Sequence, residues 1–344
     1  MTAKQSKRTI LVFRFSALGD MAMTIPVMKR MLESNPGVDI VFVSNKNWGA
    51  LCEGIPGITF YPADFKGVHK GFPGLFRLFK ELGSQFNIAA VADLHNVLRS
   101  KVVSTFFRLS GVPVRTIDKG RAEKKALTRK ENKVLRPLTT TIERYAEVFR
   151  ALQLSCEMGT KPVFAPRDLP QSVLVVTGSK GTDKWVGIAP FATYVEKMYP
   201  LAKMEEVIAT VSGEKGHKIL LFGGGKEEVA QLGALAAKYP QTVSVAGRLS
   251  LKEEMAVISQ LDTMVSMDSA NMHLASLFGV PVVSVWGATH PYAGFMGYGQ
   301  LESNAVQIQD LECRPCSVFG NKPCFRGDHA CMEWLKPAQI LEKL

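Results

Sequence analysis

Residues 264–291, MVSMDSANMHLASLFGVPVVSVWGATHP, constrain the fold more than any other stretch of this chain. An apolar run from Met264 to Met267 stops at Asp268 and Ser269. A helical pattern follows from Met272 to Phe278, then Gly279, a buried-looking strand from Val282 to Trp286 and a Gly-Ala-Thr loop. Strand, polar turn, helix, strand is the repeating unit of a parallel sheet, because parallel neighbours need a crossover connection. The turn sets an acid, a hydroxyl and the free N–H groups of a helix start at the end of a strand. Open α/β sheets bind phosphorylated ligands at such places.

The same alternation runs through the whole chain. The first half gives strands at 10–15, 39–44, 58–63 and 87–94, with helices over 74–82 and 141–154. Residues 20–33 also read as helical, and Pro26 suits a first turn, so the main helix is expected to start near Pro26 with Thr24 as its N-cap. Residues 165–184 are rich in turn formers, with a short VLVV strand, and mark a domain junction. The pattern then restarts, with strands at 185–190, 217–225, 243–247 and 263–267 and helices over 201–213, 226–238 and 251–260. A last helix is expected at 336–344.

At 344 residues, two domains are the better expectation. No apolar run approaches the roughly 18 residues that span a bilayer. The start, MTAKQSKRTILVFRF, reads as a first strand behind a basic head rather than a signal peptide. Both absences favour the cytoplasm. The net charge of +11 implies an acidic partner: a nucleic acid, an anionic membrane surface or a phosphorylated substrate. Nucleic acid is disfavoured, since the chain has neither a Cys/His zinc finger nor an RRM-like aromatic motif. The main basic run, 115–136, is either a solvated face or a landing strip for an anionic acceptor or lipid head groups.

Candidate site residues follow strand ends. Asp20 in SALGD (16–20) is either an acid favoured by the helix dipole or a general base. Thr193 and Lys197 follow the strand at 185–190, where a hydroxyl and an ammonium can hold a phosphate. FGGGKEE (222–228) turns tightly, and Glu227 or Glu228 can accept from a ribose or simply sit solvated at a helix start. Asp268 and Ser269 cap a helix, and capping orders the same N–H groups that hold an anion. His273 is either a core histidine or part of that turn. Of six cysteines, Cys313, Cys316, Cys324 and Cys331 cluster near His329. They are a possible structural metal site, reduced buried thiols, or a redox or catalytic set.

Together these pieces resemble glycosyltransferase family 9, the lipopolysaccharide heptosyltransferase family. The resemblance rests on FRFSALGDMAMTIPV (13–27), VADLHNVLRS (91–100), IAPFATYVEKMYP (188–200), LLFGGGKEE (220–228), the 264–291 stretch and the cysteine-bearing tail 313–335. It implies a GT-B fold: two Rossmann-like α/β domains facing across a cleft. The first, 1–170, would bind the acceptor and the second, 171–335, the nucleotide sugar, with 336–344 packing back on the first domain. It implies inverting transfer of a sugar, heptose from ADP-heptose, to an anionic lipid-linked lipopolysaccharide core acceptor. Asp20 would be the base, and domain closure would assemble the site. Thr193, Lys197, Glu227, Asp268, Ser269, Ala270, Asn271, Met272 and His273 would hold the donor. Arg14, Ser16, Asp93, Asn96 and Arg99 would meet the acceptor. No cofactor beyond the nucleotide sugar and no catalytic metal is expected. The location is cytoplasmic, peripheral at the inner face of the membrane. The rivals are a relative using another nucleotide sugar and a non-catalytic nucleotide-sugar or polyanion binder. Ala270 departs from the family's glycine and narrows the backbone conformations open to the turn.

Overall fold

The computed structural model describes residues 8–344; the basic head of the chain lies outside the described residues. The first half runs β1 (Arg8–Phe13), α1 (Leu18–Ser34), β2 (Val38–Asn45), β3 (Ile58–Ala63), α2 (Gly71–Gln85), β4 (Ile88–Asp93), α3 (Leu98–Leu109), β5 (Val114–Thr116), α4 (Arg121–Thr128) and α5 (Thr141–Arg150). The second runs α6 (Gln171–Thr177), β6 (Lys184–Ala189), α7 (Leu201–Gly213), β7 (His217–Leu221), α8 (Lys226–Lys238), β8 (Thr242–Ser244), α9 (Leu251–Ile258), β9 (Thr263–Met267), α10 (Ala270–Leu277), β10 (Val282–Val285), β11 (Ala305–Val306), α11 (Ala330–Glu333) and α12 (Pro337–Leu341).

Two parallel sheets result, ordered β3-β2-β1-β4-β5 and β11-β10-β9-β6-β7-β8. Central strands are apolar on both faces because helices cover both. Ile10, Leu11, Val12 and Phe13 of β1 are all fully buried. In each sheet the strand order reverses once. The chain steps outward from β1 to β3 and returns beyond β1 at β4; it steps from β6 to β8 and returns beyond β6 at β9. Loops on either side of such a reversal part at the carboxyl ends of the strands, which opens a crevice for ligand.

By contacts the chain divides into a first unit, the residues up to Lys119 with Thr141–Gly159, and a second, Gly120–Thr140 with Thr160–Leu344. This differs from a boundary at 170, and the reason is local bonding. Leu138 N donates to Tyr292 O at 2.9 Å, Lys133 Nζ to Glu312 O at 2.8 Å, and Val163 N to Leu277 O at 2.8 Å. Lys124 is buried, its ammonium 4.3 Å from the Phe295 ring centre. The basic run 115–136 is therefore divided between the units, and two of its lysines are spent inside the second.

Two local expectations are corrected. Helix α1 starts at Leu18, not near Pro26, because Asp20 reaches back to accept from Ala17 N at 3.3 Å and fixes the first turn. Pro26 then sits inside the helix at the loss of one backbone bond, and Thr24 Oγ1 donates to Met21 O rather than capping. VLVV is helical: Val173 and Thr177 of α6, four apart, are the buried pair while Val175 is exposed. The terminal helix α12 packs on α7 within the second unit. There Ile340 joins Met204, Val207 and Leu335 in the core, and Tyr199 Oη donates to Leu335 O at 3.0 Å. No helix among the described residues is long and apolar enough to cross a membrane.

Candidate active site

In the first unit the loops after β1 and β4 flank the strand reversal. Arg14 is buried against Tyr145, 5.9 Å from its ring centre, and donates to Leu94 O at 3.1 Å. Its guanidinium forms an ion pair with Asp20, whose side chain stays 29% exposed against 9% for the arginine. A buried, anchored cation thus holds a carboxylate that remains reachable. His95 is also buried, and its Nδ1 accepts from Phe15 N at 3.2 Å. Burial, then the charges of Arg14, Lys119 and Arg99, push the His95 pKa down to about 3, so the ring is a neutral brace for the β1 loop.

The residues expected on the acceptor side divide. Ser16 and Arg99 line a cavity of about 380 Å³ with Phe15, Lys46, Lys66 and Phe65. Arg99 stacks 4.7 Å over the Phe65 ring. Asp93 is fully buried and its oxygens accept from His95 N (2.9 Å), Asn96 N (2.8 Å) and Ser100 Oγ (2.9 Å). These bonds order the start of α3. Burial raises its pKa. Asn96 is held at φ 51° with its amide donating to Ile117 O at 2.9 Å, so it shapes the same turn.

In the second unit the loops after β6 and β9 flank the reversal. Lys197 Nζ lies 2.9 Å from Asp268 Oδ2, and both are largely covered, 15% and 7% exposed at the side chain. Ser269 is the N-cap of α10, but its hydroxyl pairs with Ser266 Oγ at 3.1 Å and caps nothing. The first N–H groups of α10 therefore have no side-chain cap and face the end of β9 beside an ammonium, an arrangement suited to an anion. Ala270 opens α10 in ordinary helical conformation, so the turn needs no glycine there. Asn271 is half-buried beside it. Met272 and His273 are buried, so the turn offers a ligand their main chain rather than their side chains. Thr193 is exposed near Lys197 in sequence. Glu227 is exposed on the first turn of α8, whereas Glu228 accepts from Gly224 N at 2.7 Å and closes the glycine turn.

The tail braces this site. Gly320 has φ +72°, and a Cβ there would fall 2.6 Å from Lys197 Cδ, so only glycine lets the tail lie along the lysine stem. Arg314 is buried and ties two strand-end loops together, those after β10 and β11. It donates to Gly287 O (2.6 Å), Thr289 O (3.0 Å) and Ile308 O (2.5 Å). Cys313, Cys316, Cys324 and Cys331 line one closed cavity of about 10 Å³ with His329. Among the described residues no three His, Cys, Asp or Glu side chains are grouped closely enough to hold a metal ion as they stand. Burial raises the thiols of Cys313 and Cys316, and pushes Cys331 up to about 11, which keeps them protonated.

Sequence reasoning missed Tyr145, His95, Lys46, Lys66, Arg314 and Gly320. Lys46 and Lys66 had a readable signal, since each follows the end of a parallel strand. Tyr145 and Arg314 had none, because their importance lies in what they are buried against.

The model of glycosyltransferase family 9 (heptosyltransferase) matches residues 75–322. A lipopolysaccharide heptosyltransferase 1 of Pseudomonas aeruginosa is 25% identical over 328 residues, covering 89% of this chain and 85% of its own. A crystal structure of a family 9 glycosyltransferase from Veillonella parvula aligns with a TM-score of 0.76 at 18% identity, covering 99% of this chain and 97% of its own. An Escherichia coli heptosyltransferase solved with ADP-2-deoxy-2-fluoro heptose aligns with a TM-score of 0.66 at 19% identity, covering 91% and 97%. The two parallel-sheet α/β units are thus those of a GT-B fold. The chain belongs to glycosyltransferase family 9, the heptosyltransferase family, and is a glycosyltransferase.

Proposed function

We propose that the chain transfers heptose from ADP-heptose to a lipopolysaccharide core acceptor in one inverting displacement, with Asp20 as general base. The observation that carries this reading is the form of the Arg14–Asp20 pair at the β1/β4 reversal. The cation is buried and anchored while the carboxylate stays reachable. The relatives' names and the bound ADP-sugar analogue of one solved neighbour support the choice of donor.

In this mechanism the acceptor hydroxyl oxygen attacks the anomeric carbon from the face opposite ADP. The carbon–oxygen bond to the β-phosphate breaks, and the electron pair leaves with ADP. Asp20 takes the hydroxyl proton as the new bond forms. Negative charge grows on the departing phosphate, where Lys197 and the uncapped N–H groups of α10 lower its energy. Asp268 holds the ammonium of Lys197 in place. Ser16 and Arg99, joined by Lys46 and Lys66, supply the positively charged pocket for an acidic saccharide.

Thermal shifts with a panel of nucleotide sugars test the donor. ADP-heptose should raise the melting temperature most, since a ligand that binds only the folded state stabilises it. Stabilisation and transfer with UDP- or GDP-sugars alone would overturn the choice of heptose and leave the family assignment standing.

A further inference from the structure

We propose that the paired face of α2 and α3 is a docking surface for an anionic lipid bilayer. Helix α2 buries Gly74, Leu75, Leu78 and Leu82. Its other face carries Phe72, Phe76 and Phe79, spaced by four and three, with Phe72 64% and Phe76 43% exposed. Helix α3 buries Ser100, Val103, Ser104 and Phe107. Its other face carries Leu98, Val102, Phe106 and Leu109, and its two ends, Leu98 and Leu109, are 78% and 80% exposed. The two stripes form one patch, for Phe106 lies 5.6, 5.3 and 5.5 Å from the rings of Phe72, Phe76 and Phe79.

The charge on these helices selects the occupant. Together they carry Arg77, Lys80, Arg99, Lys101 and Arg108 against one carboxylate, Glu81. Glu81 is already engaged by Arg77 and His69. Lys80 stands over the patch, 5.6 and 5.9 Å from the Phe76 and Phe79 ring centres. Exposed aromatics beside an excess of cations suit the interface of an anionic leaflet, where rings enter the head-group boundary and cations meet phosphates.

Continuity with the anion pocket argues the same way. Leu98 and Arg99 are neighbours in the first turn of α3. Leu98 ends the apolar stripe, and Arg99 lines the cavity with Lys46 and Lys66. A lipid-linked acceptor with its saccharide in that cavity would have its lipid end beside the stripe. This last argument rests on the proposed function; the patch and its charge do not.

The test is co-sedimentation of the full chain with vesicles of phosphatidylcholine alone or enriched in phosphatidylglycerol. The wild type should pellet with the anionic vesicles and be released by salt. Phe72→Ser with Phe76→Ser should weaken binding about tenfold or more. Lys80→Ser and Lys101→Ser should each weaken it by about fivefold. Thermal melts and transfer to a delipidated, soluble acceptor should be unchanged in these variants, which separates lost docking from lost folding. Failure of the wild type to pellet, or variants that pellet equally well, would overturn the proposal. So would a wild-type dimer that the phenylalanine variant dissociates, since the face would then meet a second copy. Vesicle binding without transfer to any acceptor would overturn the proposed function and leave the docking surface standing.

Discussion

Each unit places an ion pair at the carboxyl ends of the strands where its sheet reverses, but the two pairs are built in opposite senses. In the Arg14–Asp20 pair the cation is the hidden partner, 9% exposed, and the carboxylate is the reachable one at 29%. In the Lys197–Asp268 pair the carboxylate is the hidden partner at 7%, and the ammonium is the more reachable at 15%. Under the proposed function the first arrangement would offer a fixed carboxylate as a base, and the second a cation beside a helix N-terminus for a phosphate. In each unit the loops decide which charge of the pair is covered.

The largest expected effect that sharpens this contrast is on Asp20→Asn. It keeps the shape and removes the proton acceptor, so turnover should fall by about 10²–10⁴ with donor affinity retained. Lys197→Ala should cost about 10²–10³ and also weaken ADP binding in a direct titration, because the ammonium acts on the phosphate itself. A loss of turnover with unchanged ADP affinity would break the comparison. Gly320→Val pushes a side chain against the lysine stem. Displacement of that order should raise the donor KM or lower turnover by roughly ten- to a hundredfold, with Phe319→Ala as the control that leaves Lys197 in place.

The smallest effect tests burial in the second unit away from the ion pair. Burial of Glu254 in α9 pushes its pKa up to about 7 from 4.5. A carboxyl whose folded value is raised contributes fully to stability below about pH 4.5 and loses that contribution as pH rises through about 7. Glu254→Gln should therefore match the wild type near pH 4.5 and melt a few degrees higher, roughly 2–4 °C per kcal/mol relieved, at pH 8.5. Equal melting at both pH values would contradict the burial.

The alternation of elements was legible because buried parallel strands are apolar runs and their helices keep a 3.6-residue period. The strand at 263–267 and the helices at 201–213 and 226–238 were read to the residue. Asp20 and Lys197 stand in the loops and turns beyond β1 and β6, whereas Asp268 directly ends the apolar run of β9. Asp93 has the same sequence signature and a different fate, because three donors from its own turn enclose it. Local pattern cannot tell a carboxylate that is surrounded from one that is presented. The same limit holds for α12, since the pocket that takes Ile340 combines nearby Leu335 with Met204 and Val207 of α7, far away in sequence.

The division of labour between the two ion pairs is tested most directly by measuring donor affinity and turnover together in Asp20→Asn, using ADP-heptose and a lipopolysaccharide core acceptor. The account predicts wild-type donor affinity with turnover reduced about a hundredfold or more. Near-normal turnover, or a loss of donor binding that accounts for the whole defect, would contradict it.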